Sequence, residues 1–241
     1  MSFCQKMIFI SKDDQPQWQI YQAVLLFALA NAVVLAFSFL YGIFLPKDVF
    51  LLNLLASFLQ TAVFIGGSYF FVAYYHYRPW FFLGFRYGSW DKIFFSGISW
   101  GIMLYFVSVL STLLLSLIIP RNNPQEIFLL LQACDNQLLL ALFVFSIVIL
   151  APLGEEVLFR GFFYAALKKK LGVNPGIIIS GICFGAVHLD PTAFLGFALA
   201  GMGLAYLYEK KGNLWYNIMA HIVFNSIGMI LFLLTKNSMP V

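Results

Sequence analysis

Residues 146–167, SIVILAPLGEEVLFRGFFYAAL, form an apolar stretch that holds two adjacent carboxylates, Glu155 and Glu156, and a guanidinium, Arg160. Charged side chains in such a stretch cost free energy, because hydrocarbon offers no water to solvate them. The whole chain has ten acidic residues, and two of them stand side by side here. An ionisable cluster inside an apolar helix indicates a functional site in a membrane protein.

The composition is typical of a helical membrane protein. Of the 241 residues, 62% are hydrophobic and 10% are charged, whereas soluble domains carry about 25% charged residues. Spanning helices need long apolar runs, because each helix must satisfy its own backbone polar groups. The net charge of +4 is small and scattered over loops, so we expect no nucleic-acid partner. Three isolated cysteines without CxxC spacing predict neither a disulfide framework nor a zinc ribbon.

We predict an all-α fold, a polytopic transmembrane helix bundle that forms a single domain over residues 1–241. About seven crossings are expected, with eight as the alternative, together with a short interfacial helix over residues 124–134. The fifth apolar segment, of about 14 residues, is short for a crossing, which needs roughly 20. The predicted segments run approximately over 18–45, 49–75, 93–119, 137–167, 175–188, 191–208 and 214–234.

The basic residues predict that the N-terminus is cytoplasmic, because loops on that side are enriched in Lys and Arg. The opposite side would hold Lys47, Arg121 and Lys236, and Arg160 lies within the membrane. We therefore expect an integral protein of the cell (inner) membrane, in contact with the lipid bilayer. The cytoplasmic loops would hold Lys6, Lys12, Arg78, Arg86, Lys92, Lys168, Lys169, Lys170, Lys210 and Lys211.

Three apolar segments place polar side chains at a similar depth. With a rise of 1.5 Å per residue, Glu155 lies about 20 Å from the basic end of its segment, and His188 about 20 Å beyond the start of its own. His221 and Asn225 lie about 15 and 21 Å from Lys211 by the same rule, and their spacing of four puts them on one helix face. This coincidence of depth favours one shared site.

Helical spacing also separates the two glutamates. Glu156 and Arg160 have the i,i+4 spacing of an ion pair, whereas Glu155 is rotated by about 100° and faces a different neighbour. Pro152, just before them, removes a backbone hydrogen bond and predicts a local kink. Small residues in the fifth and sixth segments predict close helix packing.

Each pair of polar groups also has a purely structural interpretation. Glu156 and Arg160 alone are typical of a structural ion pair, and His221 with Asn225 is typical of an interhelical hydrogen bond. Glu155 fits such an interpretation least. Arg160 can neutralise one carboxylate, so the other needs a proton, a histidine or a substrate.

Three motifs follow one another in this part of the chain: Glu155-Glu156-x-x-x-Arg160, Phe184-x-x-x-His188 and His221-x-x-x-Asn225. In type and order they resemble the motifs of the CAAX prenyl endopeptidase and bacteriocin-processing family of intramembrane proteases. The surrounding sequences EEVLFRGFFYAAL, ICFGAVH and GNLWYNIMAHIVFN are similar as well. The resemblance covers about residues 145–228, within a motif-bearing core of about 140–235.

The resemblance implies an endopeptidase that hydrolyses a peptide bond of a membrane-associated protein or peptide, in CAAX-type or leader- and bacteriocin-type processing. It implies that Glu155 is the general base and that His188 helps to hold and polarise the water. His221 and Asn225 would donate hydrogen bonds to the tetrahedral oxyanion. The remaining motif residues, Glu156 and Arg160, would support this arrangement, and a direct role for Glu156 stays open.

We expect no cofactor, because the Glu, His and Asn side chains fill every role that hydrolysis requires. Zinc is the alternative, with Glu155, His188 and His221 as ligands, although the chain has no H-E-x-x-H motif. Two other functions stay open. A non-catalytic membrane scaffold or immunity protein of the same family is the closer one, and a proton-coupled transporter is less favoured because no inverted repeat is visible.

Overall fold

The structure is a computed structural model that describes residues 16–44, 48–119, 130–132 and 134–235. Seven main helices in these ranges follow the seven apolar segments. A π-helical turn, Phe71–Tyr75, continues the second helix, and a 3₁₀ turn, Trp80–Leu83, precedes the third. The helices are α1 (Ile20–Phe44), α2 (Val49–Phe70), α3 (Trp90–Ser116), α4 (Gln137–Leu171), α5 (Val173–Ala186), α6 (Phe194–Lys211) and α7 (Leu214–Thr235).

Five of these helices, α1, α2, α3, α4 and α7, are long and apolar enough to cross a membrane. The other two are shorter, with 14 residues in α5 and 18 in α6, and α6 ends on charged residues. The predicted polytopic helical bundle is therefore confirmed, while the count of seven or eight crossings and the single domain stay predictions. Most of the predicted interfacial helix over 124–134 lies outside the described residues.

Helix α4 is irregular on both sides of the glutamates. A π-helical turn, Ser146–Leu150, precedes the α-helical turn Ala151–Glu156, and a longer π-helical segment, Val157–Tyr164, follows it. Pro152 has no N–H to donate and its ring crowds the preceding turn, which accounts for an irregularity before it. All eight residues of the second π segment are buried. A helical segment that is buried all round occupies the centre of the bundle.

Small residues set the distance between α5 and α6. A Cβ atom at Gly185 would lie 2.8 Å from the Phe194 carbonyl oxygen and 2.9 Å from the Ala198 backbone nitrogen. A Cβ atom at Gly201 would lie 3.0 Å from the Gly181 Cα. The two backbones touch at these glycines, so the close packing predicted for this helix pair is confirmed.

Two further glycines allow close helix contacts, one between α3 and α7 and the other between α4 and α2. A Cβ atom at Gly101 of α3 would lie 2.6 Å from the Ala220 carbonyl oxygen of α7. A Cβ atom at Gly154 of α4 would lie 3.2 Å from the Thr61 Cα of α2. Since Gly154 directly precedes Glu155, this second contact brings α2 against the helix turn that carries the glutamates.

The contacts of the basic loops lie at one end of the bundle. Lys168, at the end of α4, forms an ion pair of 2.7 Å with Glu209, near the end of α6. Close by, Lys169 Nζ donates to the Pro16 carbonyl oxygen at 2.8 Å. Residues expected on one side of the membrane thus share one end of the molecule. The compartment that this end faces stays a prediction.

The segment before α1 is fastened to the centre of α4. Trp18 is 1% exposed, and its Nε1 donates to the Phe162 carbonyl oxygen at 2.7 Å. The indole also stacks on the Phe162 ring, with 5.1 Å between the ring centroids. This buried contact holds the start of α1 against the π segment that follows the glutamates.

Candidate active site

Glu156, Arg160 and His221 form a buried inner cluster. Glu156 Oε1 accepts a hydrogen bond from Arg160 Nη1 at 2.9 Å and one from His221 Nδ1 at 2.8 Å. The side chains of Glu156 and Arg160 have no solvent exposure, and Arg160 Nη2 donates to the Gly201 carbonyl oxygen at 3.1 Å. The inner cluster therefore connects α4, α6 and α7, and the predicted i,i+4 ion pair is confirmed.

The guanidinium of Arg160 is also packed between aromatic rings. Its Cζ lies 4.6 Å from the centroid of Phe184 and 5.8 Å from that of Phe159. Contact with the ring faces compensates part of the cost of burying the cation. Among the described residues, Arg160 Nε and Glu156 Oε2 have no hydrogen-bond partner. The opposite charges of Glu156 and Arg160 balance each other, but one polar atom of each side chain makes no hydrogen bond to the described residues.

Glu155 faces a different environment from its neighbour Glu156. Its side chain is 24% exposed, and its Oε2 lies 3.7 Å from His221 Nε2. The imidazole of His221 therefore stands between the two carboxylates, with Nδ1 toward Glu156 and Nε2 toward Glu155. Since an ionised carboxylate only accepts hydrogen bonds, Nδ1 carries a proton, and Nε2 is the nitrogen that can exchange one near Glu155.

Glu155 and His188 line one polar cavity of about 110 Å³, which we call the Glu155 cavity. This volume accommodates several water molecules, and the cavity provides polar partners for them. Apolar side chains surround these polar groups. The other lining residues are Phe27, Asn31, Gln60, Phe64, Phe159 and Val187.

His188 follows the end of α5 and is held in one orientation. Its Nδ1 lies 2.7 Å from the Phe184 carbonyl oxygen, and its ring stacks on Phe197 with 4.2 Å between centroids. A carbonyl oxygen only accepts, so Nδ1 is the donor, and Nε2 of the neutral ring has a free lone pair. His188 can therefore accept a hydrogen bond from a water in the Glu155 cavity.

Asn225 lies one helical turn beyond His221 and faces α4, as the spacing of four predicts. Its Nδ2 donates to the Ile147 carbonyl oxygen at 2.9 Å, within the π turn that precedes Pro152. The amide nitrogen carries two N–H groups, and this bond uses one. The structure therefore brings Asn225 to α4 but does not place it in the wall of the Glu155 cavity.

An apolar cavity of about 150 Å³ adjoins the Glu155 cavity. The two share Phe27, Phe159 and Val187 as lining residues. Cys183 is partly buried in the wall of the apolar cavity. A chain lying in the Glu155 cavity would have apolar space directly beside it.

Sequence reasoning missed two polar residues of the Glu155 cavity, Asn31 of α1 and Gln60 of α2. Neither belongs to the three motifs, and no role was predicted for residues 1–140. A polar amide within a long apolar helix is itself a signal, because such residues usually face a protein interior or a cavity. This signal could have selected both residues, although it could not have shown that they face Glu155.

The donor set does not fit a metal ion in the described part of the chain. No group of three His, Cys, Asp or Glu side chains lies close enough together there to hold one. The alternative zinc ligands Glu155, His188 and His221 are thus not arranged as a ligand set. Metal dependence stays a prediction.

Fold and site together define the class: an integral membrane protein of several helices with a glutamate–histidine site inside the bundle. Residues 137–227 match the family described as type II CAAX prenyl endopeptidase, Rce1-like. The chain is 32% identical over 154 residues to the Bacillus subtilis (strain 168) protein named "Putative membrane peptidase YdiL". The aligned residues make up 61% of this chain and 60% of that relative.

A second relative is an uncharacterized protein of Mycoplasma capricolum, 26% identical over 106 residues, which cover 42% of this chain and 31% of that protein. No solved structure matches the chain. The predicted resemblance to the CAAX prenyl endopeptidase and bacteriocin-processing family is confirmed over the motif-bearing residues 137–227. The chain spans less than two thirds of the length of these relatives.

Proposed function

We propose that the chain is an intramembrane endopeptidase that hydrolyses a peptide bond of a membrane-associated protein or peptide. One observation carries the proposal. Glu155 and His188 share a cavity of about 110 Å³ inside a largely apolar bundle, while Oε1 of the adjacent Glu156 is bonded to Arg160 and His221. A water in this cavity has a base and a second acceptor beside it, which is the arrangement that hydrolysis requires.

Glu155 acts as the general base. The water donates one hydrogen to the Glu155 carboxylate and the other to Nε2 of His188, so its lone pair is directed at the substrate carbonyl carbon. As the water oxygen attacks, its proton passes to Glu155. The same carboxyl group then delivers this proton to the leaving amine, and the C–N bond breaks. The apolar side chains in the cavity wall lower the local dielectric constant, which strengthens these polar interactions.

His221 and Asn225 stabilise the tetrahedral oxyanion. His221 Nδ1 donates to Glu156 Oε1 at 2.8 Å, so Nε2 is the ring nitrogen on the Glu155 side, and it donates to the oxyanion when it holds a proton. Asn225 supplies its second amide N–H. Donors aligned with the developing charge lower the barrier because they need no reorganisation during the reaction.

Glu156 and Arg160 position His221. The bond from His221 Nδ1 to Glu156 fixes the ring orientation and the tautomer, in the same way that outer partners orient metal-bound histidines. Arg160 neutralises Glu156 and links it to the Gly201 carbonyl oxygen of α6. These two residues act through His221 and do not need to touch the substrate.

Cleavage by the purified protein in vesicles tests the proposal. The protein is reconstituted in phosphatidylethanolamine–phosphatidylglycerol vesicles with a library of apolar peptides of about 20 residues. The library includes prenylated C-terminal CAAX peptides and leader peptides, so both substrate classes are sampled. Products are identified by mass spectrometry. We expect cleavage by the wild-type protein and none by Glu155→Gln.

Glu209→Gln is the matched control, because Glu209 pairs with Lys168 at the end of the bundle, outside the cavity. It should retain cleavage. If folded wild-type protein cleaves no peptide, or if Glu155→Gln cleaves as well as the wild type, the non-catalytic scaffold interpretation replaces the enzyme.

A further inference from the structure

Gln60 and Asn31 face Glu155 and His188 across the Glu155 cavity. Gln60 lies on α2 and Asn31 on α1, two helices outside the part of the chain that matches the family. Both side chains are half-buried within membrane-spanning helices. The cavity therefore has a motif wall, from α4 and α5, and an amide wall, made of Asn31 and Gln60.

In the described part of the chain, the amide of Gln60 is available to a ligand. Within the described residues it makes no hydrogen bond, and Asn31 uses its Nδ2 on the Phe27 carbonyl oxygen of its own helix, which leaves its Oδ1 unbonded. Asn53, also on α2, is half-buried, and its Nδ2 donates to the Val49 carbonyl oxygen of its own helix at 2.7 Å. An amide without a protein partner depends on water or on a bound chain for its hydrogen bonds. Such a residue does not contribute to stability through hydrogen bonding.

The packing of α2 on α4 places Gln60 beside Glu155. Thr61 Cα would lie 3.2 Å from a Cβ atom at Gly154, so a side chain at Gly154 would push the two helices apart. Gln60 precedes Thr61, and Glu155 follows Gly154. The same close approach therefore brings both polar side chains into one cavity.

An intramembrane substrate needs hydrogen-bond partners of this kind. A peptide bond within a helix is engaged in the backbone ladder, so the chain must become extended around the bond that is cut. Extended backbone in hydrocarbon leaves N–H and C=O groups without partners. A primary amide provides both a donor and an acceptor, and it can pair with the N–H and C=O of one residue.

We infer that Gln60, assisted by Asn31, binds the extended backbone of the substrate next to the scissile bond. The inference rests on the proposed endopeptidase function and adds a substrate-binding role to the N-terminal helices. The amide wall holds the backbone, while Glu155 and His188 on the motif wall activate the water.

The experiment compares Gln60→Leu and Asn31→Leu with Asn53→Leu, which removes an amide from α2 outside the cavity. A peptide cleaved in the vesicle assay is used to measure kcat, KM and the pH profile, and Tm is measured on the same samples. We expect Gln60→Leu to lower kcat/KM about 10- to 100-fold, mainly through KM, and Asn31→Leu to lower it less. The Asn53→Leu control should match the wild type.

The Tm of Gln60→Leu should equal or exceed that of the wild type, because the Gln60 amide makes no hydrogen bond to the described residues and leucine is more apolar. A lower Tm, or failure to fold, would show that Gln60 is structural and overturn the inference. A shifted pH profile with unchanged KM would show that Gln60 acts on Glu155 instead of on the substrate, and would overturn it as well.

A change in the substrate provides the second measurement. The wild type and Gln60→Leu are each tested on peptides that are N-methylated at single residues beside the scissile bond, and the cleavage rates are compared. At the residue that Gln60 binds, methylation should slow the wild type more than the variant, because the two changes remove the same interaction. Equal losses at every residue would refute the inference. If the wild type cleaves nothing, the proposed function has failed; if Gln60→Leu cleaves normally, this inference alone has failed.

Discussion

The Glu155 cavity and the inner cluster each contain one of two adjacent glutamates, but one glutamate is partly exposed and the other is fully buried. Glu156, in the inner cluster, has no exposure and accepts hydrogen bonds from Arg160 and His221. Glu155 is 24% exposed and faces a cavity roomy enough for water. The comparison teaches that two identical, adjacent side chains acquire different roles from the helix face on which each one lies.

His221 is the only one of these groups that contacts both glutamates. Its two ring nitrogens face Glu156 and Glu155 respectively. A structural carboxylate can thereby influence the chemistry of the other one through the imidazole. The difference between the two sites is therefore testable with single substitutions on either side of His221.

Glu155→Gln should produce the largest effect. It removes the general base, which contributes about 10²- to 10⁴-fold to rate, so we expect cleavage to fall below detection. Tm should stay close to the wild-type value, because Glu155 is partly exposed and its nearest charged or polar partner, His221 Nε2, lies 3.7 Å away, beyond hydrogen-bond distance. Vesicle cleavage and thermal unfolding of the same preparation measure both quantities. An equally large loss of Tm in Glu155→Gln and Arg160→Ala would mean that Glu155 is structural too.

Arg160→Ala should affect folding as well as activity. It leaves the buried Glu156 carboxylate without its cation, at a cost of about 3–5 kcal/mol. Folded yield by size-exclusion chromatography and Tm should both fall. Lys168→Ala is the control: it breaks the partly exposed pair with Glu209, where side-chain exposure is 34% and 27%, and should cost about 0–1 kcal/mol. Similar losses in the two variants would contradict the difference in burial.

Asn225→Ala should lower kcat about 10²- to 10³-fold with a small change in KM, since the oxyanion exists only in the transition state. Asn225→Asp should be at least as damaging, because it places an anion against the developing charge. Asn217, on the same helix, donates to the Leu204 carbonyl oxygen at 2.6 Å. Asn217→Ala should therefore lower stability by about 1–3 kcal/mol and leave kcat unchanged. Full activity in both Asn225 variants would favour the scaffold.

A metal chelator should have no effect on the cleavage rate, which makes it the smallest effect expected. Incubation with 1,10-phenanthroline should leave the rate of vesicle cleavage unchanged, and elemental analysis should find no stoichiometric zinc. The test sharpens the comparison, because a zinc ion bound by Glu155, His188 and Nε2 of His221 would make Glu156 the outer carboxylate that orients a metal-bound histidine. Loss of cleavage that added zinc restores would replace the glutamate-activated water by metal-assisted hydrolysis.

Local helix geometry made part of the site predictable. A spacing of four residues predicts the Glu156–Arg160 pair and places His221 and Asn225 on the face toward α4, and the structure has both features. The rotation between neighbouring residues likewise predicts that Glu155 faces elsewhere. These are properties of a single helix, and they depend little on what the helix packs against.

Tertiary packing determines the features that were not predicted. The π segments of α4 shift the register between its turns, so the partner of Asn225, the Ile147 carbonyl oxygen, could not be read from α-helical spacing. Gln60 reaches the cavity because Gly154 allows α2 to approach α4. That approach joins residues almost a hundred positions apart, and neither neighbouring sequence contains a sign of the other.

The buried bond between Trp18 and the Phe162 carbonyl oxygen also sets an order of events during biosynthesis. Its two ends are 144 residues apart, a length that a ribosome translates in roughly 7–30 s. Helices α1 and α2 therefore enter the bilayer well before α4, the helix they dock on. Until α4 is inserted, the amides of Asn31 and Gln60 have no glutamate opposite them. The hydrolytic centre is thus assembled late, when independently inserted helices associate within the lipid.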